Sequence, residues 1–342
     1  MLRLPVFALH EPETLGQVLE LLRIHQPSVG LFAGGTDLLP NIKLGQTYRA
    51  HWISLRRVEE LHEITPFDGG LRLGASSGLA TLATDPDLTA GWPALAQALD
   101  KIASPQIRNM ATLGGNLCLD TRCRYINQSQ MWRQALGGCL KSHGDQCHVV
   151  PGGKGCVAAL SADSVAPLIA YGAEVDILGP SGLRRILVQD LYDSDGLHHV
   201  RCQPDEVLTA VVLPAPPATR HVRYRKWSVR KSIDFPLVSV AVRLDVDAQG
   251  LLSDGLIAVA ALGPKPRVLP LGQLRGRVLD EQLAHDLGQM AFDRCRPLPN
   301  IPYDPAYRRE RLAVEVRRAV RDMAGLPIKP LAARLALLGD QL

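Results

Sequence analysis

Leu31-Phe32-Ala33-Gly34-Gly35-Thr36-Asp37-Leu38-Leu39 is the stretch on which the fold turns. Val29 to Ala33 is a short apolar run, as a buried strand makes, and it passes straight into Gly-Gly-Thr-Asp. Glycine lets the backbone visit φ > 0 and approach a ligand closely. Successive N–H groups in such a turn form an anion-binding nest, to which Thr36 adds a hydroxyl. A pyrophosphate is the natural guest, although an ordinary strand-to-loop turn has the same composition. Upstream, Leu15, Val18, Leu19 and Leu22 repeat at helical spacing after Pro12-Glu13-Thr14 and predict a helix. Downstream, Thr112-Leu113-Gly114-Gly115-Asn116 is a second turn of the same chemistry. Two such turns predict a dinucleotide held between them. No G-x-G-x-x-G follows a strand, and Gly153-Lys154 is no P-loop, because His148 stands where its first glycine belongs and Gly155 replaces Ser/Thr.

Further out, Ile53–Leu55 and Leu71–Leu73 read as short strands, and Leu79–Ile102 as helices broken at Asp85-Pro86-Asp87 and Gly91-Trp92-Pro93. Residues 121–157 show no period and predict an irregular excursion. Order resumes with a helix at Ala166–Ala170 and strands at Ala173–Leu178 and Val207–Leu213. Pro214–Thr219 reads as a linker. Val238, Val240, Val242 and Leu244 alternate with Ser239, Ala241 and Arg243, which predicts a half-buried strand, and Leu256–Leu262 predicts another. Leu312, Val316, Ala319 and Val320 form a helical stripe whose arginines are expected on a solvated face.

The chain has 342 residues, 46% hydrophobic and 21% charged, which suits two or three globular domains and excludes disorder. A net charge of +4 without a polybasic run argues against a nucleic-acid partner. No apolar stretch approaches the ~18 residues of a membrane span. Glu11 and Glu13 interrupt any leader-like segment in Met1–Leu22, so a cytoplasmic, reducing location is expected.

Leu31–Leu39 and Ala111–Leu117 resemble the two FAD-binding signatures of the flavoprotein subunits of molybdenum hydroxylases, the xanthine dehydrogenase and CO dehydrogenase medium-subunit family. The resemblance continues at Ala162–Leu168, which is loosely similar to the family's S-D-x-x-P segment, at Asp205-Glu206-Val207-Leu208, and at Lys226–Asp234. It implies a fold of mixed α/β and α+β type: a two-subdomain FAD-binding (PCMH-type) domain over 1–215, with 121–157 inserted in it, and a C-terminal α+β domain with an antiparallel sheet over 220–325. Residues 326–342 would be a tail. The resemblance implies that Ala33, Gly34, Gly35, Thr36, Asp37 and Leu38 hold the pyrophosphate and nearby parts of FAD, with Thr112, Gly115 and Asn116 opposite. Asp163 would accept from a ribityl or ribose hydroxyl, though a helix N-cap is its rival role. Leu208 and Lys226 would sit near the isoalloxazine or adenine ends, though a solvated surface lysine is the rival for Lys226. Ile102 and Ala103 fall at further FAD contacts.

The chain departs from that family in the excursion, which carries Cys123, Cys139, Cys147 and Cys156 spaced C-x15-C-x7-C-x8-C among many glycines. Three readings are open: unpaired loop thiols, a zinc site joined by His143 or His148, or an iron–sulfur cluster. A cysteine-bearing insertion at this place resembles flavoprotein subunits of the 4-hydroxybenzoyl-CoA reductase type. That resemblance implies a [4Fe–4S] cluster on these four cysteines, with electrons passing from ferredoxin through the cluster and FAD to partner subunits. The partners would be a molybdenum-cofactor (α) and a [2Fe–2S] (γ) subunit in a dimer of heterotrimers, which remove the phenolic hydroxyl from 4-hydroxybenzoyl-CoA. No catalytic acid or base is expected on this chain. The rival readings are a medium subunit of an oxidising molybdenum hydroxylase with a zinc or structural loop, and a non-catalytic binding protein. Cys118 is expected packed beside the flavin loop, and Cys202 and Cys295 as plain structural thiols.

Overall fold

A computed structural model describes residues 2–326, so the expected tail from 327 onward lies outside the described residues. The chain opens with β1 (Ala8–His10), α1 (Leu15–His25), β2 (Val29–Phe32), α2 (Leu38–Lys43) and β3 (His51–Ser54). The three strands form a small parallel sheet in the order β1-β3-β2. Thr14 caps α1 by accepting from the Gln17 amide at 3.3 Å, and Val18 and Leu22 turn inward.

A second layer follows: β4 (Ile64–Phe67), β5 (Gly70–Gly74), then short helices α3 (Leu79–Thr84), α4 (Pro86–Gly91), α5 (Pro93–Asp100), α6 (Pro105–Arg108) and α7 (Leu113–Leu117). Proline at the first turn starts three of them, where its missing N–H costs nothing. After α8 (Gln130–Ala135) and α9 (Val165–Tyr171) come β6 (Glu174–Gly179), β7 (Gly182–Leu187) and β8 (Val207–Leu213). The antiparallel sheet runs β4-β5-β8-β6-β7. Every residue of β8 is buried, as its unbroken apolar run suits a central strand.

The C-terminal domain is an antiparallel sheet, β12-β11-β10-β9, backed by two helices. Its elements are β9 (Arg220–Trp227), β10 (Val238–Val246), β11 (Leu252–Ala260), β12 (Arg267–Pro270), α10 (Glu281–Arg294) and α11 (Pro305–Met323). Here two expectations fail. β10 is buried on both faces rather than one. Val238, Val240, Val242 and Leu244 join the core with α10 and α11, while Ala241 joins the core of the N-terminal domain across the sheet. The arginine face of α11 is not wholly solvated either. Arg308 is fully buried and donates to the carbonyls of Leu237 (3.1 Å), Leu298 (3.0 Å) and Ala261 (2.7 Å). Three carbonyl acceptors replace its water; burial still pulls its guanidinium down to about 10.

The excursion is irregular except for α8, which the sequence reading missed. Buried Arg133 anchors it: one guanidinium nitrogen donates to the carbonyls of Ile126 and Gln128, the other to Leu44 and Gly45 at the end of α2. Asn300 of the C-terminal domain ties both its ends, accepting at its carbonyl from the Arg124 amide and donating from Nδ2 to the Val157 carbonyl.

Candidate functional site

A cavity of about 580 Å³ opens between the small parallel sheet, the helical layer and the C-terminal domain. Its floor is the turn after β2. Gly35 is left-handed there (φ +69°). A Cβ on Gly34 would stand 1.9 Å from the Met110 carbonyl oxygen, so only glycine lets this turn press against the segment entering the second glycine loop. Among the described residues, the amides of Gly34, Gly35, Thr36 and Asp37 donate to no protein acceptor. Four free donors in one turn are the nest that phosphate oxygens fill.

The second turn is built differently. It forms the first turn of α7: Thr112 Oγ1 accepts from the Gly115 amide at 3.2 Å, and the Gly114 amide donates to Ala75. Its amides are therefore largely spent on the protein, so it is a wall rather than a second nest. Asn116 Oδ1 accepts from the Ser164 hydroxyl at 2.7 Å and locks this wall to the start of α9.

Ala33, Gly34, Gly35, Thr36, Asp37, Leu38, Ile102, Ala103, Thr112, Gly115, Asn116, Asp163 and Leu208 all line this cavity. Lys226 does not. Its ammonium is buried and donates to Asp163 Oδ2 and to the Lys101 carbonyl, each at 2.9 Å. Asp163 Oδ1 accepts from the Tyr224 hydroxyl at 2.6 Å. Lys226 thus supports Asp163 from behind, and the surface-lysine reading is corrected. Burial raises the Asp163 carboxyl against the opposing pull of Lys226 and Tyr224. The N-cap reading of Asp163 also fails: Ser164 occupies that position and makes no side-chain cap bond.

Other lining residues were not singled out in the sequence. Ile233, Asp234 and Phe235 roof the cavity from the C-terminal domain. The Ile233 amide donates to the carbonyl of Ala103, and both residues hold positive φ (+58° and +46°). Ile233 and Asp234 fall inside the Lys226–Asp234 motif, and Phe235 lies one residue beyond it. Arg122 lies between floor and roof, pairing with Asp37 at 2.9 Å and stacking its guanidinium 3.8 Å from the Phe235 ring centroid. Cys118 lines the cavity beside the second glycine turn, and burial pushes its thiol up to about 11.

A second, smaller pocket is lined by Cys123, Cys139, Cys147 and Cys156 together. Three of these are buried and Cys139 is partly so. The loop at Cys139 is drawn tight by Gly138 (φ +77°), where a Cβ would meet the Ser142 carbonyl oxygen at 2.7 Å. The Ser142 hydroxyl donates to Cys139 Sγ at 3.5 Å. Gly196 makes room for Cys156, whose sulfur would lie 3.0 Å from a Cβ there. His148 lines the pocket with Nε2 on the Gly138 carbonyl, and His143 does not line it. Burial pushes the Cys123 thiol up to about 11 and the Cys156 thiol upward as well. Among the described residues, no three of these sulfurs lie within 4.8 Å of one another. Tetrahedral zinc with Zn–S near 2.3 Å would draw its sulfurs to about 3.8 Å.

The two pockets adjoin. Arg122 lines the larger and Cys123 the smaller, and consecutive Cα atoms are about 3.8 Å apart. Lys141 clamps this junction, donating to Asp120 Oδ1 (2.6 Å), Thr121 Oγ1 (2.5 Å) and the Gly196 carbonyl (2.9 Å).

Residues 5–216 match the FAD binding domain in molybdopterin dehydrogenase, and residues 223–323 match the CO dehydrogenase flavoprotein C-terminal domain. The chain belongs to this family of molybdenum-hydroxylase flavoproteins. It is an FAD-binding medium subunit of an oxidoreductase of that type. It is 35% identical to the aldehyde oxidoreductase FAD-binding subunit PaoB of Escherichia coli (strain K12), over 68% of this chain and 76% of that protein. It is 26% identical to the carbon monoxide dehydrogenase medium chain of Hydrogenophaga pseudoflava, over 92% of this chain and 96% of the relative. Among solved structures, quinoline 2-oxidoreductase from Pseudomonas putida 86 shares the fold with a TM-score of 0.76 at 24% identity, covering 94% of this chain and 98% of that one. The larger cavity fits the flavoprotein family's FAD in size and in its nest of free amides. Among the described residues, no helix is long and apolar enough to cross a membrane.

Proposed function

We propose that this chain is the FAD- and [4Fe–4S]-carrying subunit of a 4-hydroxybenzoyl-CoA reductase-type enzyme. In this reading FAD lies in the larger cavity. Gly34–Asp37 donate to its pyrophosphate, Thr112, Gly115 and Asn116 form the opposing wall, and Asp163 accepts a flavin-side hydroxyl. Leu31, Ile102, Ala103 and Leu208 line the apolar remainder. Lys226 positions Asp163 rather than touching FAD. Cys123, Cys139, Cys147 and Cys156 are the cluster ligands.

The single observation that carries this reading is that four cysteines spread from 123 to 156 line one pocket beside the FAD cavity. Buried thiols held neutral by desolvation form thiolates readily only where a cation compensates the charge. Four cysteines converging on one pocket are the donor set that an iron–sulfur cluster takes. When bound, the cluster and FAD together would relay single electrons from ferredoxin to a [2Fe–2S] (γ) subunit and a molybdenum-cofactor (α) subunit, where 4-hydroxybenzoyl-CoA loses its phenolic hydroxyl. The chain's residues bind, orient and shield; none is a proton donor to substrate. The setting is the cytoplasm, with a dimer of heterotrimers as the assembly.

A second reading has a specific observation in its favour. The relatives include proteins named aldehyde oxidoreductase and carbon monoxide dehydrogenase subunits, which fits an oxidising enzyme with a structural cysteine loop. Iron and acid-labile sulfide analysis of the anaerobically purified chain separates the two. About four irons with one FAD per chain is expected; one zinc and no iron overturns the proposal. Cys139→Ala should lose the iron and keep FAD, whose retention reports an intact fold.

A further inference from the structure

Beside the parallel sheet, outside the lining of the FAD cavity, three imidazoles meet. His10 ends β1, His51 begins β3 and His25 closes α1. The far end of β3 leads instead to Leu55, a lining residue of the FAD cavity. His10 Nε2 lies 3.1 Å from His51 Nδ1. The His25 and His51 rings stack at 3.9 Å between centroids, and His10 and His25 at 4.7 Å. One nitrogen from each ring lies within 4.8 Å of the other two, the one such grouping of three metal-ligating side chains among the described residues.

The backbone builds this cluster rather than leaving it to chance. β1 and β3 are in parallel register with Ala8 opposite His51, so His10 and His51 share a face one pleat apart. The turn after α1 brings in the third ring: the Ser28 amide donates to the His25 carbonyl, and the His51 amide donates to the Ser28 carbonyl. All three side chains are half-buried. Neutral imidazoles present lone pairs, and three of them leave a divalent ion one or more open positions for water.

We infer that His10, His25 and His51 form a binding site for a divalent transition-metal ion, zinc being the ion whose coordination they suit. Zn–N bonds near 2.0–2.1 Å put tetrahedral nitrogens roughly 3.4 Å apart, so the His10–His51 pair is already near the required spacing, and His25 brings a third nitrogen within 4.8 Å of both. The bound ion staples the first strand and first helix to β3. The site lies outside the FAD cavity and the cysteine pocket, so it stands whether or not the cluster assignment does.

The test uses the full chain with FAD, with Cys139→Ser and Cys147→Ser introduced so that thiolates do not compete. Cobalt(II) chloride serves as spectroscopic probe and zinc sulfate as competitor. One cobalt per chain is expected, with ligand-field absorption, no sulfur charge-transfer band, and displacement by zinc. His25→Gln should weaken zinc binding by at least about tenfold, the loss that even outer-shell partners of metal ligands cause. Zinc should raise the Tm of the parent and not of the variant. His10→Asn, at a strand end, gives the same result if His25→Gln folds poorly. Failure to bind cobalt, or binding that neither histidine change weakens, overturns the inference.

Discussion

Arg122 Nη1 lies 2.9 Å from Asp37 Oδ1, and the next residue in the chain is Cys123. One ion pair therefore joins the floor of the FAD cavity to the first residue of the cysteine pocket. Asn41 Nδ2 donates to the other Asp37 oxygen at 2.8 Å. Burial raises the Asp37 carboxyl and lowers the Arg122 guanidinium, each opposed by the other's charge. Arg122→Met should leave Asp37 without its cation and cost about 2 kcal/mol, since both groups keep some solvent. Differential scanning calorimetry with and without added FAD checks this; an unchanged Tm and FAD occupancy would remove the pair from the architecture.

The Gly34 contact gives a sharper steric prediction. Gly34→Ala pushes a methyl into the Met110 carbonyl, and backbone on both sides leaves little room to yield. Overpacking of this kind costs about 1–3 kcal/mol, and FAD should be lost on gel filtration. Gly16→Ala is the control: it lies in α1, where a Cβ meets nothing closer than 3.9 Å, and should stabilise by up to about 1 kcal/mol.

Lys226 and Asp163 are 7% and 4% exposed, so their pair is deeply buried. Removing one partner of such a pair costs about 3–5 kcal/mol because the other charge is stranded. Lys226→Met should be more damaging than the double change with Asp163→Asn. Denaturant melts of the two singles and the double measure the coupling. Simple additivity would mean that the two groups do not act as a pair.

Among the described residues Arg308 forms no salt bridge and donates to three carbonyls. Arg308→Met leaves those acceptors unpaired at the base of α11 and should cost about 3 kcal/mol. The loss would appear as a Tm several degrees lower. A neutral result would mean that water replaces the guanidinium without penalty.

Burial holds the His199 imidazole below its ordinary value of 6.5. Its Nε2 lies 2.9 Å from the Leu119 carbonyl oxygen in the core. The unfolded chain therefore takes up this proton first as pH falls. Stability should decline from about pH 6.5 downward until the folded group titrates, and be unaffected above that. His10 shifts in the same direction, so His199→Gln should flatten the acid limb of a Tm-against-pH profile only in part. An acid limb of unchanged slope would exclude His199 as a contributor.

Much of the site was legible in residue types because its requirements are local. A turn with a left-handed residue asks for glycine at Gly35, and a strand leading into it asks for the apolar run before it. The four cysteines stood out by composition alone. What was misread depended on partners distant in sequence. Alternation in β10 predicted one wet face, but a second domain covers that face. The arginines of α11 looked like a solvated stripe until Arg308 met carbonyls from three separate segments.

The sequence by itself determined the two glycine turns, the cysteine set, most central strands and the family, since each is written in short stretches of chain. Only the tertiary structure decided that the first glycine turn keeps its amides free while the second spends them on α7 and its neighbours. It alone decided that Lys226 stands behind Asp163, that Ile233–Phe235 roof the cavity, and that cysteines up to 33 positions apart share one pocket beside it. The physical reason is common to all of these: burial and hydrogen-bond satisfaction are properties of what packs against a group, and the packing partners here come from other domains and other strands.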